Sequence, residues 1–292
     1  MALPYIEAYM RQNNGPYAIW HTEAPFDAIS LARQASESGA SAVVAVGGDG
    51  TIHEVSEGLI GTKTPLGIIP VGSGNDFVAS LNHGRKLPKN IEKRIALYLD
   101  SILHGQPQAV DMIRMDKFHF LNIGSVGVDA EIAYDAAGLK KALGGGSYVA
   151  ATCINALTYK ACPMRITYSG GPQGDGVADG DFALAAVANG QYYGGGFRIA
   201  PSASLSDGYM TLCLINKLSH FKMFSLFPTV LLGMHGRFRE VHFIHCRKAM
   251  IHFEGVRHVN LDGNIYHLKT PLHFEILPQA LDIFRLPVDA DK

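Results

Sequence analysis

The feature that most narrows the choice of fold is a repeated join between strand and helix. Residues 42–76 read AVVAVGGDGTIHEVSEGLIGTKTPLGIIPVGSGND. The apolar run Ala42 to Val46 has the length and composition of a buried strand in a parallel sheet. It meets Gly47-Gly48-Asp49-Gly50-Thr51, then a helical pattern of Ile52, Val55, Leu59 and Ile60 closed by Gly61. Thr51 and Glu54 stand at capping-box spacing, which predicts a helix start at Thr51. A second apolar run, Leu66 to Ile69, ends at Pro70 and opens into Val71-Gly72-Ser73-Gly74-Asn75-Asp76.

Glycines let main-chain amides approach a ligand closely, and a helix N-terminus offers unpaired N–H groups that suit phosphate. Open α/β sheets bind ligands in loops at the C-terminal ends of parallel strands. Two such loops side by side can hold a polyphosphate. Asp49 would repel phosphate unless it holds a metal ion or takes a proton from an attacking hydroxyl. Either loop alone is equally well read as a tight strand–helix turn. A Walker A loop is absent, because the G-x-x-x-x-G-K-[ST] spacing does not occur.

Upstream, Leu3 to Gln12 predicts a helix, Tyr17 to Trp20 a short strand, and Ala28 to Ala35 an amphipathic helix ended by Gly39. Leu87 to Leu103 predicts another helix. From residue 108 short alternating strands take over: Ala109–Met115, Phe118–Ile123, Met164–Tyr168, Asp181–Ala188, Met210–Ile215, Val241–His245, Met250–Phe253, Val256–Leu261, Leu272–Leu277 and Leu281–Leu286. Helices are expected at about Tyr148–Tyr159 and Phe221–Gly236. The predicted architecture is an α/β nucleotide-binding domain with a mostly parallel sheet over residues 1–108, then a β-rich sandwich domain over 109–292.

A formal net charge of −1 gives no reason to expect a nucleic-acid partner. The cysteines Cys153, Cys162, Cys213 and Cys246 show no CxxC or zinc spacing and read as reduced thiols of a cytoplasmic protein. No leader pattern opens the chain, and no apolar run approaches the ~20 residues that span a bilayer. The nearest, Phe224 to Met234, is short and contains Pro228.

The two loops together resemble the diacylglycerol kinase catalytic family, which includes the sphingosine kinases and bacterial lipid kinases. Gly47-Gly48-Asp49-Gly50-Thr51 with Glu54, and Pro70 to Phe77, carry the resemblance. It implies ATP and Mg²⁺, with the active site in the cleft between the two domains. It implies nucleotide contacts at Thr22, Gly47, Gly48, Asp49, Gly50, Thr51, Glu54, Gly72, Ser73, Gly74 and Asn75. Thr22 and Ser73 read equally well as capping or turn hydroxyls. Family members usually begin with a further strand ending in Asn-Pro-x-Ser-Gly, and this chain begins at the helix after it. Either the natural start lies upstream of Met1, or another chain, as in a homodimer, covers the open sheet edge, or nucleotide binding is weakened.

Further along, Ser204, Asp207 and Tyr209 resemble the family's Mg²⁺ segment, although an Asp-Gly turn explains the same residues. Asp129 matches an acid that faces the lipid headgroup in sphingosine kinases, or it caps the next helix. Asn264 stands where the family carries the Glu proposed as proton acceptor, and an amide has no useful basicity. A base must then come from Asp49, Asp129 or solvent. The late histidines, His235 to His273, read as strand-surface groups. Arg237, Arg239, Arg247, Lys248 and Arg257, interleaved with Phe238, Phe243 and Phe253, make either a solvated sheet face or a contact for anionic headgroups.

The expected function is an ATP-dependent lipid kinase phosphorylating a diacylglycerol-like or sphingoid hydroxyl, with transient membrane-surface contact. The alternative is a catalytically weak or inactive lipid- or nucleotide-binding relative. An NAD kinase or phosphofructokinase relative, which also uses a GGDG loop, is disfavoured by the Pro70–Phe77 segment.

Overall fold

A computed structural model of the chain describes residues 2–143 and 160–287, with backbone alone over 136–143. The helix expected at Tyr148–Tyr159, and Cys153 within it, lie outside the described residues. The chain divides into two compact units, one of residues 1–111 with 279–292 and one of residues 112–278.

In the first unit, helix α1 (Leu3–Gln12) buries Ile6 and Met10, and α2 (Asp27–Glu37) buries Ala28 and Ala32. Strand β1 (Val43–Gly47) runs parallel to β2 (Leu66–Pro70), with Val43 opposite Leu66 and Gly47 opposite Pro70. All five residues of β2 are buried, as a strand covered on both faces requires. Helix α3 (Asp49–Leu59) connects β1 to β2, and α4 (Asp76–Leu81) and α5 (Ile91–His104) follow β2. Gly58 lets α2 and α3 cross closely, since a Cβ there would stand 2.4 Å from the Ile29 carbonyl oxygen. Gly67 does the same beneath α5, where Ile102 Cδ1 lies 2.8 Å from the position of a Cβ.

Tyr17–Trp20 is not a strand: the segment has no regular secondary structure, and Tyr17, Ile19 and Trp20 are exposed. A strand needs a ladder, and among the described residues β1 pairs with β2 alone.

The second unit is antiparallel. It contains part of β3 (Gln108–Met115), then β4 (Phe118–Phe120), β5 (Ile123–Gly127), β6 (Cys162–Ser169), β7 (Gly176–Ala188), β8 (Met210–Asn216), β9 (Val241–Cys246), β10 (Lys248–Phe253), β11 (Val256–Leu261), β12 (Asn264–Lys269) and most of β13 (Leu272–Ile283). Helix α6 (Val128–Leu143) follows β5, and α7 (His220–Leu231) lies between β8 and β9. Strand β7 pairs with β5, β6 and β8 along its length, and its second half, from Phe182 to Ala188, is buried on both faces. Its Ala185 and Val187 join one core with β3, β4, β6, β10 and β13, while Leu184, Ala186 and Ala188 join a second core with α7. Cys162, Cys213 and Cys246 are buried free thiols.

Three strand expectations change. The strand expected at Phe118–Ile123 divides into β4 and the start of β5. β12 pairs with β11 through the two-residue Asp262-Gly263 turn, whose φ values of 48° and 90° fit a primed hairpin turn. The two strands expected over 272–286 are one strand, β13. Gln279 takes φ 51° within it and gives its N–H to Asp111 Oδ1 at 2.8 Å, leaving the ladder at that point. The boundary at residue 108 also needs amendment, because the chain after Pro278 returns to the first unit. There Ile283 pairs with Leu66, and the Ser101 hydroxyl donates to the Arg285 carbonyl at 2.7 Å.

Candidate functional site

In the first unit the two glycine turns touch backbone to backbone. A Cβ on Gly72 would lie 2.4 Å from Gly48 Cα, and a Cβ on Gly48 would lie 3.1 Å from Gly72 Cα. The Gly47 carbonyl ties them by accepting the Val71 N–H at 3.0 Å and the Gly72 N–H at 3.2 Å. Gly47 must also be glycine, because Thr51 Oγ1 occupies the place of its Cβ at 2.4 Å. Gly50 instead faces open space.

Helix α3 starts at Asp49, two residues before the expected Thr51, with Gly48 as N-cap and no side-chain cap. Thr51 is therefore the third helical residue, and Thr51 with Glu54 forms no capping box. The first intrahelical bond is from Ile52 N–H to the Gly48 carbonyl at 3.1 Å. Helix geometry leaves the N–H groups of Asp49, Gly50 and Thr51 outside the ladder. They are the donors an anion would use.

Asp49 turns towards the second loop. Its Oδ1 accepts the Phe77 N–H at 3.1 Å, and its Oδ2 stands 3.1 Å from the Cβ position of Gly74. The carboxylate of the first turn thus caps α4, which begins from the second turn. Asn75 is buried in the left-handed region, φ 58°. Its Nδ2 donates to the Gly72 carbonyl at 2.8 Å, and its Oδ1 is enclosed without a partner. Ser73 and Gly74 are exposed. Thr22 lies in the exposed segment before α2 and has no hydrogen bond to either loop, and Glu54 lies one turn into α3.

The composition of this place fits a phosphate-bearing ligand: glycine backbones at mutual contact, open space over Gly50, and an enclosed amide oxygen awaiting a donor. Sequence reasoning missed Arg94. From α5 its Nη1 donates to the Pro70 carbonyl at 3.3 Å, which sets a guanidinium at the root of the second turn. The signal available was an Arg at the end of the first turn of a helix, which is too common to single out.

In the second unit Asp129 stands in the first turn of α6. Gly127 makes the sharp entry with φ 133°, where a Cβ would meet the Ala183 carbonyl oxygen at 2.4 Å. The Ser125 hydroxyl donates to Asp129 Oδ2, and Oδ1 is enclosed without a hydrogen bond. Burial pushes its carboxyl up to about 6, against the opposing pull of the Ser125 hydroxyl and, more weakly, of the nearby Ala130 and Asp129 N–H groups and Tyr193. A carboxyl held there is poised to exchange protons near neutral pH.

Asn264 opens β12, and its side chain makes no hydrogen bond among the described residues. Its neighbour Asp262 is the structural centre. Asp262 Oδ2 accepts the Leu121 N–H at 2.8 Å, while Oδ1 accepts the Ile123 N–H at 2.9 Å and the Asn122 N–H at 3.0 Å. Fully buried Asn189 adds its Nδ2 to the Leu121 carbonyl at 2.7 Å, and Asn122 Nδ2 binds the Tyr192 carbonyl at 2.8 Å. This polar knot fixes the start of β5, two residues before Ser125, which meets Asp129. Each member looks like an ordinary turn residue in sequence, so only the long-range pairing reveals it.

At the expected metal segment, Asp207 is exposed and its Oδ1 accepts the Tyr209 N–H at 3.0 Å, the bond of an Asp-Gly turn. The Tyr209 ring lies under the Arg247 guanidinium at 5.0 Å, and Ser204 is half-buried. Among the described residues no three His, Cys, Asp or Glu side chains converge on a common point. One carboxylate already engaged in a turn does not by itself fit a closed Mg²⁺ site. The aromatics read as interleaved with late basic residues face inward: Phe253 is buried, and Phe238 and Phe243 pack against the core beneath α7.

Comparison with known proteins agrees with this architecture. Residues 2–115 match the diacylglycerol kinase catalytic domain, and residues 122–285 match the YegS C-terminal NAD kinase beta sandwich-like domain. A protein of Chromohalobacter salexigens named "Probable lipid kinase YegS-like" is 33% identical over 201 residues, which is 67% of this chain and 60% of that relative's length. One of the same name from Shewanella frigidimarina is 30% identical over 270 residues, 89% of this chain and 81% of the relative. A Mycobacterium tuberculosis diacylglycerol kinase is 28% identical over 264 residues, with 89% of this chain and 81% of that protein covered. In fold, a solved diacylglycerol kinase from Bacillus anthracis aligns over 97% of this chain and 89% of its own, with TM-score 0.67 and 22% identity. Among the described residues no helix is long and apolar enough to cross a membrane. With both segments matched, and in the order the two compact units take, the chain belongs to the family of YegS-like lipid kinases and diacylglycerol kinases.

Proposed function

We propose that the protein transfers the γ-phosphate of ATP to the hydroxyl of a membrane lipid, diacylglycerol-like or sphingoid. The observation that supports this most is the main-chain contact of Gly48 with Gly72, which sets two side-chain-free turns against each other at the start of α3, beside an enclosed Asn75 oxygen. On this reading the N–H groups of Asp49 to Thr51 and of Ser73 and Gly74 hold the phosphates, while the Gly72 N–H ties the turns together through the Gly47 carbonyl. Mg²⁺ neutralises phosphate charge when bound. Asp49, with one oxygen fixed by Phe77, would offer the other to that ion, and Asp207 with main-chain oxygens beside Ser204 and Tyr209 would be a second, water-rich Mg²⁺ contact.

In the reaction the lipid oxygen bonds to the γ-phosphorus, the bond from that phosphorus to the β,γ-bridging oxygen breaks, and ADP leaves. The lipid hydroxyl proton passes to a carboxylate. Asp129 is the candidate, because its enclosure raises its proton affinity towards the working pH and Asn264 has none to offer. The test is transfer of label from [γ-³²P]ATP to a panel of diacylglycerols and sphingoid bases in mixed micelles, with and without Mg²⁺. Label in a lipid product carries the proposal. Mg²⁺-dependent ATP binding in a calorimeter with no transfer to any lipid would instead favour the non-catalytic reading that Asn264 motivates.

A further inference from the structure

Helix α7 is apolar on both sides. Met223, Leu226 and Val230 face the core. The opposite stripe consists of Phe221, Phe224, Ser225, Pro228 and Leu231, continued by Leu232 and Met234, and every one of these is exposed. Positions 221, 224, 225, 228, 231 and 232 share one face at helical periodicity. Phe221 is 82% exposed and Leu232 67%. The single hydroxyl on the stripe is turned back, donating from Ser225 to the Phe221 carbonyl at 3.1 Å. Surface helices of globular proteins turn a polar face outward, and a contiguous apolar stripe marks an interaction surface.

The charge around the stripe selects the partner. Residues 217–240 contain Lys217, Lys222, Arg237 and Arg239 against one acid, Glu240, in a chain of net charge −1. Glu240 is shared by Lys222 and Arg239. Arg237 lies in the turn after α7, exposed, with no carboxylate partner among the described residues. Arg198 joins it. Its N–H donates to the Val230 carbonyl at 3.1 Å, and its Cδ lies 2.9 Å from the Cβ position of Gly233. Its guanidinium meets the neutral Gln191 Oε1 at 3.1 Å and the Pro201 carbonyl at 3.5 Å. Two cations lacking acid partners therefore flank the C-terminal end of the apolar stripe.

We propose that α7 is the membrane-docking helix of this protein, lying in the plane of an anionic bilayer. Phe221, Phe224, Leu231 and Leu232 enter the boundary of headgroups and acyl chains, while Arg198 and Arg237 meet anionic headgroups. This rests on the reading that the substrate is a lipid taken from a membrane, and its test needs no turnover.

The experiment is flotation with vesicles of phosphatidylcholine alone and of phosphatidylcholine mixed with phosphatidylglycerol. The full chain binds the mixed vesicles. Phe221→Ser with Leu232→Ser weakens binding about tenfold or more per residue, since each loses the burial of a large apolar side chain. Arg237→Gln weakens binding to the mixed vesicles and leaves the phosphatidylcholine arm unchanged. Val177→Ser, at an exposed residue of β7, serves as the neutral control. All altered side chains are exposed, so melting curves of the variants coincide with the parent. Parental protein that ignores vesicles, or a double variant that binds as well as the parent, overturns the proposal. So does a double variant that converts a dimer to a monomer in sedimentation, which would give the stripe to a second copy of the chain. Phosphorylation of a dispersed short-chain diacylglycerol is unaffected by the double variant. Its absence from the parent, with vesicle binding intact, counts against the kinase reading and not against the docking helix.

Discussion

The Asp49 carboxylate accepts the Phe77 main-chain N–H at 3.1 Å, so the acid of the first glycine turn caps the helix that leaves the second. Stability and chemistry therefore meet in one side chain, and two substitutions separate them. Asp49→Ala loses the cap and costs about 1 kcal/mol in urea unfolding. Asp49→Asn keeps an accepting oxygen and stays within about 0.5 kcal/mol of the parent. Both lose lipid phosphorylation by about 10²-fold or more, the order expected for a lost charge beside metal or proton. An Asn variant as active as the parent would reduce Asp49 to a cap.

The contact between Gly48 and Gly72 makes one glycine intolerant and leaves another free. In Gly72→Ala the new methyl meets the Gly48 backbone at 2.4 Å, and the turns must part. A loss of about 1–3 kcal/mol in stability is expected, with loss of nucleotide binding. Gly50→Ala adds its methyl to open space in the first turn of a helix, so its melting temperature is unchanged or higher. Its nucleotide affinity, measured by calorimetry, falls because that space is where we place the phosphate. Full affinity in Gly50→Ala would move the phosphate elsewhere.

The raised carboxyl of Asp129 ties stability to pH. The unfolded chain releases this proton near 3.8, and the folded protein holds it to about 6. Between those values the native state binds more protons, so stability declines as pH rises from about 4 to about 6 and is level above. Asp129→Asn removes that decline and gains on the order of 2 kcal/mol at neutral pH. Urea midpoints taken across the range decide it, since parallel curves for parent and variant would show a carboxyl that is not enclosed. With Asp129 as proton acceptor, the acid limb of kcat/KM falls near the same value, and Asn at this position removes most activity while stabilising the fold.

Asp262 and Asn264, two residues apart, separate architecture from chemistry. Asp262→Ala strands the N–H groups of Leu121, Asn122 and Ile123 and costs roughly 3 kcal/mol or more, while Asp262→Asn loses less. Asn264→Glu breaks no hydrogen bond among the described residues and is expected to leave stability within about 0.5 kcal/mol. It restores the acid the family carries there and should raise turnover about tenfold or more. Unchanged turnover would assign the proton to Asp129 alone.

Much of this was legible in the chain itself. Runs such as Val43–Gly47 and Leu66–Pro70 declare buried parallel strands because both faces are apolar, and the glycines after them declare turns that admit no side chain. The alternation after residue 108 declares a sandwich, and β11 was bounded correctly at Val256–Leu261. Tyr17–Trp20 has the composition of a strand but no neighbour to pair with, and pairing is not a local property. The start of α3 moved from Thr51 to Asp49 because glycine at 48 caps it with backbone alone.

Sequence by itself determined most of the buried strands, where the two glycine turns fall and which family the chain resembles, since these depend on composition and short-range spacing. Tertiary structure alone decided that Gly48 and Gly72 touch, that Asp49 serves Phe77, that Asp262 gathers three amides from residues about 140 positions away, and that Asp129 is enclosed. It also decided which face of α7 meets the core. A helix apolar all round gives no periodic hint of its inner side, and only the cores it packs against reveal the stripe left over.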